Sequence, residues 1–93
     1  MQIKQSNLFA KSYKKLHKQV LTEVNLNIKL IINDPESGDL KSGDLAHVRV
    51  LKFKVDAHLY LLAYQYDVAI NLLYLLALGE HENFYNKLKN HIR

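Results

Sequence analysis

The sequence predicts an α+β fold: two N-terminal helices packed on a four-stranded, mostly antiparallel sheet, closed by a short C-terminal helix. Three observations carry this. Apolar residues recur at helical spacing twice before residue 34. Between residues 48 and 78 they form alternating or continuous runs that suit strands. A helical stripe then returns at Phe84, Leu88 and Ile92. The order is β-α-α-β-β-β-α, and consecutive hairpins near its end imply a largely antiparallel sheet with helices laid on it.

Gln2 to Ser6 mixes polar and apolar residues and reads as an edge strand. Ser6 or Asn7 caps the helix that follows, because either side chain can accept a bond from an orphan backbone N–H. Phe9, Tyr13, Leu16 and Val20 are spaced by four, three and four and form its apolar stripe. Lys11, Lys14, Lys15 and Lys18 fall on the other side, giving one apolar stripe and one basic face. A second helical run holds Leu21, Val24, Ile28, Ile31 and Ile32. It stops at Asp34-Pro35, since proline disfavours helical geometry in the residue before it.

Residues 37 to 45 contain a tandem Ser-Gly-Asp-Leu unit, too short for a fold-forming repeat, and read as turns. Leu40 and Leu45 are expected to pin this loop to the core. In Val48 to Val55, strand alternation puts Arg49, Leu51, Phe53 and Val55 on one face. Val48, Val50, Lys52 and Lys54 take the other. Leu59–Tyr66 and Ala69–Leu76 are nearly all apolar, as central strands covered on both faces would be, with a tight turn at Tyr66-Asp67-Val68. The last helix is expected over Glu80 to Arg93. Glu80 and Glu82 lie near its start, and Lys87, Lys89 and Arg93 later, in accord with the helix dipole.

Composition narrows the function. Ninety-three residues fit one domain, 1–93, with one core. The chain has no cysteine, which removes disulfide staples and thiolate metal sites and fits a reducing, cytoplasmic setting. No signal-peptide pattern opens the chain, because lysines interrupt the first eighteen residues. The apolar stretch Ala57 to Leu78 carries His58, Gln65, Asp67 and Asn71, so it reads as sheet and no membrane span is expected. The net charge of +4 is regional: Met1 to Lys18 holds five lysines and no acid, whereas Asp34 to Asp44 holds four acids and one lysine. On charge alone, the lysines are a solvated helix face.

The order of elements and several local motifs resemble the RelE/ParE superfamily of type II toxins, over nearly the whole chain. Phe9-Ala10-Lys11-Ser12-Tyr13-Lys14-Lys15-Leu16 resembles the opening helix of those toxins. Asp34-Pro35 with Gly38, Leu40 and Gly43-Asp44-Leu45 resembles their helix-to-sheet loop. Arg49-Val50-Leu51-Lys52-Phe53-Lys54 and Leu61-Leu62-Ala63-Tyr64 resemble two of their strands. Gly79-Glu80-His81-Glu82-Asn83-Phe84-Tyr85 resembles the C-terminal element where many members carry a histidine or arginine and an aromatic. The resemblance implies a compact four-stranded antiparallel sheet with two N-terminal helices. It also implies a cognate antitoxin protein as partner. Most characterised relatives cleave mRNA in the 30S A site of the ribosome without metal. The ParE branch instead poisons DNA gyrase, so the superfamily alone does not fix the activity.

Metal-independent RNA cleavage needs a base for the 2′-OH, an acid for the departing 5′ oxygen, and cations for the phosphoryl charge. His81 is the first candidate for acid or base, because a free imidazole holds both protonation states near neutrality. Read without the resemblance, it is a helix-start histidine open to water. In the YafQ-like branch a histidine occupies the matching position. Arg49, Lys52 and Lys54 are the candidates for catalytic and phosphate-binding cations. Lys52 and Lys54 share one strand face, about 7 Å apart by strand rise. Arg49 alternates to the opposite face unless a bulge re-aims it. A plain basic strand face explains the same residues. Lys52 matches a position where relatives place a catalytic lysine or histidine.

Tyr85, four residues after His81, shares its face if the segment is helical, and suits base stacking or phosphate orientation. Packing explains it equally well. Relatives with arginine-rich sites carry more arginines than the two here, Arg49 and Arg93. His17, His47, His58 and His91 form no metal-ligand spacing, and no phosphate-cradling glycine loop is present, so neither metal nor cofactor is expected. Three functions follow: a ribosome-dependent endoribonuclease toxin, a gyrase inhibitor acting through a binding surface, and a non-toxic interaction module.

Overall fold

The computed structural model describes residues 1–92. Arg93, assigned above to the last helical turn, lies outside the described residues. The chain runs β1 (Gln2–Gln5), α1 (Asn7–Lys14), α2 (Lys18–Asn33) and β2 (Asp39–Leu40). A 3₁₀ turn (Gly43–Leu45) leads to β3 (Arg49–Val55), β4 (His58–Asp67), β5 (Leu72–Glu80) and α3 (Phe84–Ile92).

The α+β class holds, but the sheet has five strands and is mixed, in the order β1-β5-β4-β3-β2. β3, β4 and β5 are the expected antiparallel meander. The first strand departs from expectation. β1 pairs parallel with β5, Gln2 opposite Leu72 through Gln5 opposite Leu75. Two helices separate it from the next strand, so no hairpin fixed its direction, and it closes the free edge of β5. The fifth strand, β2, is two residues paired with Val50 and Arg49 of β3.

Four boundaries also move. α1 ends at Lys14, and Val20 belongs to α2. The apolar period runs through the break because Tyr13, Leu16 and Val20 all pack against the same cluster, and neither glycine nor proline marks it. The β4–β5 turn falls at residues 68–71, where Asn71 adopts a positive φ of 50° and Asp67 Oδ1 accepts a bond from Ala69 N. β5 continues through Gly79 to Glu80, and α3 starts only at Phe84. Leu40 lies on the outermost strand and is 60% exposed, so Leu45 alone of the two leucines reaches the core.

Continuous apolar runs in β4 and β5 are satisfied on both sheet faces. On one face Leu62, Tyr64, Leu73 and Leu78 pack against Phe9 of α1 and Val24 and Ile31 of α2. On the other, Val48, Val50, Leu61, Ala63 and Leu76 pack against Leu45 and against Phe84 and Leu88 of α3. Full burial of each leucine contributes about 1.5–3 kcal/mol. The β4–β5 register shifts between Ala63 and Tyr64, the one irregularity in that ladder. No helix among the described residues is long and apolar enough to cross a membrane.

Candidate functional site

The α3 side of the sheet gathers most of the chemistry. Directly paired residues of adjacent strands project from the same face. Lys52 stands opposite Leu61, and Leu61 opposite Gly79. One row along, Lys54 stands opposite Leu59, whose carbonyl accepts a 3.1 Å bond from His81 N. Lys52, Lys54 and His81 therefore lie on adjoining rows of one face, the lysine strand two strand spacings (about 10 Å) from the His81 backbone.

His81 is exposed in the turn between β5 and α3, one residue past the strand. Asn83, at a positive φ of 62°, completes that turn. Phe84 and Leu88 are buried and clamp α3 to the sheet, which fixes Tyr85 beside His81. The two rings meet edge to face, centroids 6.5 Å apart at 85°. Phe84 presents a second edge to Tyr85 at 5.4 Å. A shared helix face does not unite His81 and Tyr85, because His81 precedes the helix; the turn does. An open hollow of about 380 Å³ is lined by His81, Glu82, Asn83, Tyr85 and Asn86.

Arg49 is not brought to this group. It pairs opposite Tyr64, on the α2 side of the sheet, and the β3–β4 register is continuous, so no bulge turns it round. Its Nη1 donates to the carbonyls of Gly38 at 2.9 Å and Glu36 at 3.3 Å. Beside it the buried Tyr64 hydroxyl donates to Pro35 O at 2.8 Å and accepts from Gly38 N at 2.9 Å. Together they hold the 34–40 loop against the sheet.

That loop delivers a residue the sequence reading did not single out. Lys41 Nζ lies 5.7 Å from the Tyr85 ring centroid, over its face. Its only sequence signal is being the lone lysine among the four acids of Asp34 to Asp44. Among the described residues the one ion pair is His58–Glu80, Nδ1 to Oε1 at 2.9 Å, so Lys41, Lys52 and Lys54 have no carboxylate partner within 4.0 Å. No group of three His, Cys, Asp or Glu among those residues is placed to hold a metal. An exposed imidazole, a tyrosine ring and three lysines thus share one side of the molecule. They suit a ligand that carries both phosphates and flat bases.

A small mixed sheet with two N-terminal helices on one face and a C-terminal helix on the other is the fold of RelE-type toxins. The chain belongs to the ParE-like toxin family of type II bacterial toxin-antitoxin systems, whose model matches residues 3–89. It is similar in fold to a chain of the intact E. coli RelBE toxin-antitoxin complex, at 17% identity and TM-score 0.72, over 87% of this chain and 96% of that one. A chain of the RelBE2 toxin-antitoxin complex from Mycobacterium tuberculosis matches at 16% identity and TM-score 0.73, over 86% and 96%. The YoeB/ParE toxin from Agrobacterium tumefaciens matches at 15% identity and TM-score 0.72, over 87% and 99%. No protein of curated function matches the sequence.

Proposed function

We propose that the protein is the toxin of a type II pair and a metal-independent endoribonuclease that cleaves mRNA in the 30S A site of the ribosome. The observation that carries this is His81 held against Tyr85 on the sheet face that also bears Lys52 and Lys54. In this reading one proton-transfer group takes the 2′-OH proton as O2′ attacks the adjacent phosphorus. The P–O5′ bond breaks, and a second group protonates the leaving oxygen. The products are a 2′,3′-cyclic phosphate and a 5′-OH. His81 serves as one proton-transfer group and Lys52 as the other, while Lys54 counters charge on the phosphoryl oxygens. Tyr85 stacks a base beside the scissile bond. Arg49 acts indirectly, by bracing the 34–40 loop.

RelBE and RelBE2, named as toxin-antitoxin complexes, support a cognate antitoxin as partner. An acidic antitoxin segment that folds as it binds suits the unpaired lysines of this face. A second reading, inhibition of DNA gyrase, is favoured by the ParE-like family model and by the engagement of Arg49 away from the lysines.

The test is brief expression with transcriptome-wide mapping of new 5′ RNA ends, beside His81→Ala. Cuts at a fixed codon phase, reduced about 10²–10⁴-fold by the substitution, are expected for loss of a proton-transfer group. Growth arrest without new RNA ends, accompanied by gyrase–DNA cleavage complexes, would move the assignment to gyrase.

A further inference from the structure

Lys41 is the least expected member of the α3-side group, and the structure prepares it more thoroughly than its neighbours. Lys41 N donates to Val48 O at 2.8 Å, which extends the β2–β3 ladder by one residue and directs the side chain to the α3 side, as for Val48. The preceding loop is held from the opposite face by Tyr64 and Arg49 through four hydrogen bonds. The residue is half-buried, its ammonium lies over the Tyr85 ring, and among the described residues no carboxylate lies within 4.0 Å of it. Most surface lysines swing freely; this one is fixed at its backbone and seated on an aromatic.

We infer that Lys41 is a phosphate-binding residue of the site and that Tyr85 is its resting place when no ligand is bound. This rests on the RNA-directed reading above. A base stacking on the Tyr85 face that Lys41 covers would displace the ammonium, and the nearest anion is then the phosphate joined to that nucleotide. The ring thus holds the charge close to where it is needed. A cation over an aromatic at an exposed site is held more weakly than in a charge-assisted bond to phosphate, so the exchange is favourable. Among the described residues Lys52 and Lys54 of β3 lie over no aromatic ring, so Lys41 is the cation coupled to base stacking.

The experiment is binding of a 2′-O-methyl RNA hexanucleotide, which cannot be cleaved, to the full chain at several salt concentrations. The wild type is compared with Lys41→Met, which keeps an unbranched apolar side chain without the charge, and with Lys41→Arg, which keeps the charge. Each phosphate contact on a single strand contributes about 0.7 to the slope of log K against log salt. Lys41→Met is expected to reduce the slope by about that amount, and Lys41→Arg to restore it. Thermal unfolding of each variant confirms that it folds. A slope in Lys41→Met equal to that of the wild type overturns the assignment of Lys41 and leaves the RNA-directed reading standing. A wild type that does not bind the free oligonucleotide at low salt also overturns the assignment of Lys41, whereas cleavage on the ribosome stands or falls with the mapping of 5′ ends.

Discussion

The Tyr64 hydroxyl joins Pro35 O to Gly38 N from inside the sheet, with the Arg49 guanidinium on the neighbouring carbonyls. Gly38 is the residue that permits this. A Cβ there would stand 2.9 Å from Tyr64 Cε1 and from its hydroxyl, and 3.1 Å from the Val50 carbonyl carbon. Tyr64→Phe keeps the ring but leaves the buried Gly38 N–H without its partner. We expect it to lower the unfolding free energy by about 1–3 kcal/mol, read as a reduced urea midpoint with an unchanged slope. A midpoint equal to the wild type would show that solvent reaches these groups. At the same scale, sequence alternation put Lys52 and Lys54 on one face and Arg49 on the other, as the ladder has them. It gave no sign that the Arg49 donors were committed to the carbonyls of Glu36 and Gly38, because those bonds span a loop.

α1 is only eight residues long, too short to persist alone in water. Its N-terminal end is anchored twice. Ser6, buried between β1 and α1, accepts a 3.0 Å bond from Phe9 N and donates a 2.6 Å bond to Leu76 O. One hydroxyl therefore caps the helix and ties it to β5. Ser6→Ala removes both bonds and strands the Phe9 N–H. The expected cost is about 1–2 kcal/mol, measured by urea denaturation, with earlier hydrogen exchange in α1 than in β4. Uniform exchange across both elements would mean that the cap holds nothing local. The cap was readable in the sequence as Ser6 or Asn7, and its type followed from chemistry. The second bond was not readable, because Leu76 lies 70 residues away.

At the scale of the whole molecule, pH tests the packing of the sheet end nearest His81. Burial pushes the Tyr60 phenol above its ordinary value, and the negative charges of Glu80 and Asp56 add to this. The folded state thus holds that proton more tightly than the unfolded chain. The associated stability is fully present below a pH of about 10 and is lost as pH rises through the raised folded value. Tyr60→Phe keeps the stacking on Phe53, at 5.9 Å between centroids, and removes the titration. We expect stability to fall less steeply above a pH of about 10 in the variant than in the wild type, with the two parallel near neutrality. Equal alkaline slopes would mean that Tyr60 is as solvated folded as unfolded.

The sequence by itself determined the type and order of every element except the two-residue β2, the antiparallel meander of β3 to β5, and the break at Asp34-Pro35. These follow from local periodicity and from proline geometry, which act within a few residues. It also marked His81, Tyr85, Arg49, Lys52 and Lys54 as the residues with chemistry to offer. Tertiary structure alone decided the rest. β1 runs parallel beside β5 because only the folded sheet has that edge open. His81 and Tyr85 meet through a turn at Asn83 that α3 packing holds in place. The Arg49 guanidinium is committed to the carbonyls of Gly38 and Glu36 across a loop, and Lys41 is carried to the near face by a two-residue strand. Those placements depend on pairings between distant segments, and periodicity within one segment carries no information about its partner.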